Sequence, residues 1–192
     1  MTIGGPAPAP VLPAGYPAEY ERPVVLTDGR AVLVRPVRPD DVGQLAAAVR
    51  GADPETLRRR FLGAAGPRTA EQLRHLVEVD DVHRFAVAAF DELGTGVGIA
   101  RYEGAETWPA VELAVVVNPG WRHVGLATTL LKDVLRRAVE QGAHSALVDF
   151  FSDNIPVQRL LADLGLPERR HADFGVVEDE LQLDGVNLLS RS

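Results

Sequence analysis

The stretch 110–151 constrains the fold more than any other part of the chain. Residues 110–117 are apolar apart from Glu112, a run of strand length rather than helix length. Asn118-Pro119-Gly120 ends it. Over 125–141 the apolar residues change period. Leu126, Leu130, Val134 and Ala138 form an i, i+4 row, Leu131, Leu135 and Val139 lie beside it, and Gly142 is placed to cap the C-terminal end. A second apolar run follows at 146–151. Strand, helix, strand within so short a span is a βαβ unit, whose two strands run parallel.

The flanking sequence adds antiparallel strands and further helices. Runs at 24–26 and 31–34 flank Thr27-Asp28-Gly29-Arg30, a hairpin signal. Arg38-Pro39-Asp40-Asp41 opens a helix reaching about Arg50, and Asp53-Pro54-Glu55 opens a second, through about Leu62. Thr69 with Gln72 forms a capping box for a third helix over 70–79. Runs at 85–90 and 97–102 read as a strand pair meandering into 110–117, and Asn154-Ile155-Pro156 opens a helix that ends at Gly165. The segment 171–183 alternates weakly and predicts one or two edge strands. The fold class is therefore α/β (α+β): a single domain over 20–192 with a mixed central sheet and helices on both faces. Residues 1–19, rich in Pro, Ala and Gly, read as a flexible leader.

Composition narrows the function. A chain of 192 residues has room for one ordinary domain. Its 20 basic and 27 acidic residues leave a net charge of −7, which argues against binding nucleic acid through phosphate neutralisation. With no Cys there is no disulfide, no thiolate zinc site and no cysteine nucleophile. His75, His83, His144 and His171 are scattered with no metal-ligand spacing, so no metal is expected. No run approaches a membrane span, and the N-terminus lacks the basic start and apolar stretch of a signal peptide. The expected compartment is the cytoplasm, with no membrane partner.

The chemistry concentrates between the strand at 110–117 and the helix after it. A buried strand ends, a short loop (Arg122-His123-Val124) follows, and Gly125 leads into a long helix. The first N–H groups of that helix have no intrahelical partner and the helix dipole adds positive potential there, which makes a site for phosphate. Gly125 lets the backbone approach an anion, Ala127 keeps the next turn small, and Arg122 either contacts the anion or braces the loop. The same string occurs at Arg60-Phe61-Leu62-Gly63-Ala64-Ala65, but there it ends a helix, with no strand before it and no helix start after it. Context selects the second copy.

That copy, in its βαβα setting, resembles the acetyl-CoA loop of the GNAT superfamily of N-acetyltransferases. The similarity covers about residues 22–185. More narrowly, Leu26 to Arg30, Val34 to Asp41 and Glu55 to Phe61 look like the acetyltransferase domain of bacterial protein lysine acetyltransferases. The resemblance implies acetyl-CoA as cofactor. Its phosphates would be held by the backbone of His123, Val124, Gly125, Leu126, Ala127 and Thr128 with Arg122, its pantetheine by Val115, Val116 and Val117, with Asn154 contacting CoA. It also implies a general base on the strand at 110–117. Glu112 is the charged residue in that run, on the face shared with Ala110 and Ala114, and a partly desolvated Glu suits a base near neutral pH. The family's frequent Tyr, seven residues after the Asn, is Leu161 here. Protonation of the leaving thiolate thus falls to water, with Ser152 and His123 as weaker relay candidates. The implied acceptor is a primary amine, a protein lysine side chain or a small molecule, and the resemblance allows a homodimer. The competing reading is a CoA-binding sensor or accessory module without catalysis.

Overall fold

The computed structural model describes residues 12–64, 66–67, 69–105 and 108–185 of the 192-residue chain. Residues 1–11 of the expected leader, and 186–192 of the expected domain, lie outside the described residues. The Asp-Gly hairpin joins β1 (Arg22–Val25) to β2 (Ala31–Pro36), with Gly29 at φ +87° and the Leu26 N–H donating to Arg30 O at 2.8 Å. Helix α1 (Val42–Gly51) starts later than its sequence signal. Pro39–Asp41 forms a single 3-10 turn, because the Asp41 carboxylate folds back onto the Arg38 N–H (2.7 Å) and the Arg35 guanidinium. Helix α2 (Pro54–Arg60) is capped by Asp53, which accepts from the Thr56 N–H at 2.8 Å. It stops short of the expected Leu62, where Leu62 and Gly63 take positive φ values of 49° and 79°. Helix α3 (Ala70–Val77) carries the Thr69–Gln72 capping box.

The remaining elements are β3 (Arg84–Phe90), β4 (Gly96–Gly104), β5 (Ala110–Val117), α4 (Leu126–Glu140), β6 (Ser145–Phe151), α5 (Ile155–Leu164), β7 (Glu168–Asp173) and β8 (Val176–Gln182). They build an eight-stranded mixed sheet in the order β1-β2-β3-β4-β5-β6-β8-β7, in which β5 and β6 run parallel and the other neighbours antiparallel. The tail therefore forms two strands, of which only β7 is an edge. β8 sits between β6 and β7.

Helices cover both faces. Strand β3 is apolar from Phe85 to Phe90 because it is buried twice. Phe85, Val87 and Ala89 join the main core beneath α4, while Ala86, Ala88 and Phe90 join a smaller one with Val37. The amphipathic row of α4 packs on the first face, with Leu126, Leu130, Val134 and Ala138 buried, and α5 adds Leu161. Helices α1–α3 lie over the opposite face, above β3–β5.

Three buried aspartates are each matched by a bidentate arginine. Arg35 grips Asp41 (2.8 and 2.6 Å), Arg22 of β1 grips Asp133 of α4 (2.8 and 3.1 Å), and Arg170 of β7 grips the fully buried Asp179 of β8 (both 2.6 Å). The described part of the leader is tied to this frame. The Tyr16 hydroxyl donates to Glu21 (2.9 Å), and Tyr20 is fully buried with its hydroxyl on Glu140 (2.8 Å).

Two measurements check these contacts. Asp41→Ala strands the Arg35 guanidinium, 9% exposed, without its carboxylate. It is expected to cost about 3 kcal/mol, a fall in Tm of roughly 6–12 °C by calorimetry. Asp81 has positive φ (59°), and a buried carboxylate oxygen that no group satisfies among the described residues; burial raises its pKa from 3.8 to about 6. The folded state therefore binds this proton more tightly than the unfolded chain does, and stability falls as pH rises between about 4 and 6. Asp81→Asn, which tolerates the backbone angle, is expected to melt above wild type at pH 7, with the difference vanishing below about pH 4.

Candidate active site

Strands β5 and β6 share only three residue pairs, Ala110 with Ser145, Val111 with Ala146 and Glu112 with Leu147. Beyond Glu112 they splay apart, while the other edge of β5 stays in register with β4 from Val111 to Val117. The splay opens a cleft of about 1200 Å³, lined by every residue from Glu112 to Val117. Successive strand residues point to opposite faces, so the cleft passes through the sheet.

At one mouth lies the start of α4. Trp121, Arg122, His123, Gly125, Leu126, Ala127 and Thr128 line it. Gly125 is the N-cap, at φ +83°, and no side chain caps the helix. The backbone angle, rather than space, is what demands glycine: an added Cβ would sit 3.5 Å from the Thr27 methyl, an ordinary contact. The N–H groups of the first turn are thus left for a ligand. His123 is exposed and also has positive φ (62°). Arg122 braces the loop, its Nε donating to Val117 O (3.0 Å) and Nη2 to Thr56 Oγ1 (2.9 Å). Trp121 stacks under Arg30, 3.9 Å from ring centroid to guanidinium carbon. Val124 turns inward: it packs against the core, and its carbonyl accepts from the Thr27 N–H (3.2 Å). Asn154 caps α5 through its backbone. It is 8% exposed, lines the cleft, and its side-chain amide has no hydrogen bond among the described residues.

The other mouth carries carboxylates. Glu112 is exposed there, on the face of Ala110 and Ala114 as its alternation predicts, and no group among the described residues hydrogen-bonds or ion-pairs with its carboxylate. The nearby Arg101 bonds Glu103 instead (2.8 Å). Register places Leu147, Asp149 and Glu178 on the same face, and Asp149 and Glu178 also line the cleft. Partial desolvation, then the Glu178 carboxylate, push the Asp149 pKa up. Asp149 was legible by the argument that found Glu112: it is the charge in an otherwise apolar strand. In the sequence, Arg58-Arg59-Arg60 is a basic run on a helix and reads as a solvated face. The structure corrects that for Arg60, which is part-buried, lines the cleft and bonds no carboxylate, while Arg58 and Arg59 bond Glu55 at its rim. The overlooked signal was spacing, since Arg60 follows Thr56 by one helical turn and shares its face.

Other candidates fall away. Leu161 is buried in the core. All three tyrosines are engaged elsewhere, Tyr16 with Glu21, Tyr20 with Glu140 and Tyr102 with Val82 O (2.7 Å). Ser152 is exposed outside the cleft lining. No cluster of His, Asp and Glu able to hold a metal occurs among the described residues, and no helix there is long and apolar enough to cross a membrane.

The profile of the acetyltransferase (GNAT) domain matches residues 31–167. The acetyltransferase PA5475 of Pseudomonas aeruginosa is 28% identical over 151 residues, 77% of this chain and 81% of that protein. The crystal structure of the GNAT domain of S. lividans PAT superposes with a TM-score of 0.79 at 27% identity, over 87% of this chain and 99% of that one. A cAMP-binding acyltransferase from Mycobacterium smegmatis shares the fold, with a TM-score of 0.63 at 22% identity, over 90% of this chain but only 50% of its own. A splayed parallel pair, an uncapped helix start at one mouth and a carboxylate at the other, together with these likenesses, place the chain in the GNAT family of N-acetyltransferases.

Proposed function

We propose that this protein transfers the acetyl group of acetyl-CoA to a primary amine, with Glu112 as general base and a protein lysine side chain as acceptor. The observation that carries the reading is the cleft through the sheet, which joins the open N-terminus of α4 to the Glu112 carboxylate. The residues fit the cofactor. Free backbone N–H groups from Gly125 to Thr128 suit its pyrophosphate, unpaired strand edge along Val115–Val117 suits its pantetheine, and the unbonded amide of Asn154 suits a polar group between them. When bound, it supplies an acetyl thioester, already activated toward an amine.

The chain's own residues do the rest. The carboxylates of Glu112, Asp149 and Glu178 give the acceptor mouth a negative potential that draws an ammonium group in. Glu112, free of other partners among the described residues, accepts the proton that the ammonium must lose before its nitrogen can attack. A backbone N–H along the open edge of β5 donates to the carbonyl oxygen as negative charge builds on it. With Leu161 in the core and every tyrosine engaged, no tyrosine hydroxyl is offered as general acid, and water in the cleft would supply the proton that the leaving thiolate needs. A thiol pKa of about 8.5 makes that adequate.

Acetyl-CoA at about a hundred times its Kd is expected to add about 2.7 kcal/mol of stability, a Tm rise of roughly 5–10 °C. ATP and NAD should give no comparable rise, and the absence of any rise with acetyl-CoA would overturn the cofactor assignment. Glu112→Gln should retain that rise and lose about a hundredfold or more in kcat. If Asp149→Asn stops turnover instead, the base is Asp149. Gly125→Ala forces a non-glycine residue to φ +83° and should weaken acetyl-CoA binding by about tenfold by titration calorimetry.

A further inference from the structure

The arginines that anchor β1, the turn into α1 and β7 each hold a carboxylate in a bidentate pair, but the part-buried Arg60 of α2 has none. Its guanidinium makes no hydrogen bond or ion pair among the described residues; it lies over the Phe61 ring, 4.9 Å from the centroid. Burial, then repulsion from Arg101, lower its pKa to about 10. Arg101 is 6% exposed. Its Nη2 donates to Glu103 at 2.8 Å, while its Nη1 is buried with no partner. Two guanidiniums close enough to repel each other, one with a buried unmet donor and the other with no partner, are a costly arrangement for a fold to keep.

Their position suggests why they are kept. Both line the main cleft beside Glu112 and Ala114. Both also line a second cavity of about 140 Å³ beneath α1 and α2, whose walls include Leu45, Leu57, Phe61, Phe90 and Ile99. The arginines thus stand where an apolar chamber meets the acceptor mouth. The open start of α4, which suits the cofactor's phosphates, is built from other residues.

We infer that Arg60 and Arg101 bind a carboxylate carried by the acceptor, so that the substrate is an amine bearing an acid group flanked by hydrocarbon. The planar fork of Arg60 and the free Nη1 of Arg101 match the two oxygens of a carboxylate. The small cavity receives the adjoining hydrocarbon, and the amine is left facing Glu112. The inference rests on the acetyltransferase reading above and narrows its acceptor. The acid has two sources of the same chemistry, the carboxylate of a free amino acid or an acidic side chain beside the reactive lysine of a peptide.

The test uses the full chain and acceptors in pairs that differ only in carboxylate against carboxamide. One arm pairs free amino acids with their amides; the other pairs lysine peptides that carry a neighbouring Glu with those that carry Gln. Wild type is expected to favour the acid member by about tenfold or more in kcat/KM in one arm, and that arm identifies the source. In Arg60→Gln the ratio falls to near one, with the KM for acetyl-CoA unchanged. Arg60→Lys, which keeps the charge and loses the fork, serves if the Gln variant does not fold. Equal rates on acid and amide, a preference that survives in the variants, or a raised acetyl-CoA KM would each overturn the inference. If wild type acetylates nothing in the panel, the same pairs are compared by thermal shift in the presence of CoA. A rise specific to the acids, lost in Arg60→Gln, supports the site, and its absence overturns it. The separate thermal shift with acetyl-CoA reports whether the cofactor reading itself has failed.

Discussion

The site depends on a sheet that comes apart. β5 is held along one edge by β4 and β6 along one edge by β8, each through a seven-residue antiparallel register. Between them lie only three parallel pairs. Twist accumulates along each half of the sheet, and a short parallel seam cannot hold the two halves together over their whole length. Separation leaves backbone polar groups of β5 without a sheet partner. Buried groups of that kind are rarely left unsatisfied, so an exposed strand edge in the interior is a standing invitation to a ligand with an extended polar arm. The parallel crossover that creates the seam also delivers the N-terminus of α4 to one end of it.

Placing the cleft in the middle of the sheet obliges the rest of the molecule to be rigid. The bidentate pairs are distributed accordingly. Arg22–Asp133 joins the first strand to α4, Arg35–Asp41 fixes the turn into α1, and Arg170–Asp179 locks the last two strands together. Arg122 performs a similar service inside the site, joining the end of β5 to α2 through Val117 O and Thr56 Oγ1. The loop at the open start of α4 and the helix that bears Arg60 therefore share one brace.

Local signals carried most of this into the sequence. The period change at 118–125, the Asp-Gly turn, the Thr69–Gln72 box and the lone charge at Glu112 each express a rule that acts over a few residues, and the structure contains each of them. What escaped was set by distant partners. β8 alternates Val177, Asp179 and Leu181 on its buried face, and the aspartate blurs the pattern until Arg170 is seen beside it. The start of α1 shifted because Asp41 answers to Arg35 as well as to its own helix. The environment of Arg60 depends on a strand some forty residues away, which no local window contains.

The two outermost strands have a bearing on how the protein behaves when crowded. β7 is exposed at every position and reads Glu-Arg-Arg-His-Ala-Asp, while β1 carries Pro23, which has no N–H to offer a neighbour. An incoming strand would meet a row of exposed charged side chains on one side and a missing donor on the other. Sheet extension from copy to copy is thereby discouraged at both borders, so that a molecule built around an unzipped interior seam does not polymerise through its rims.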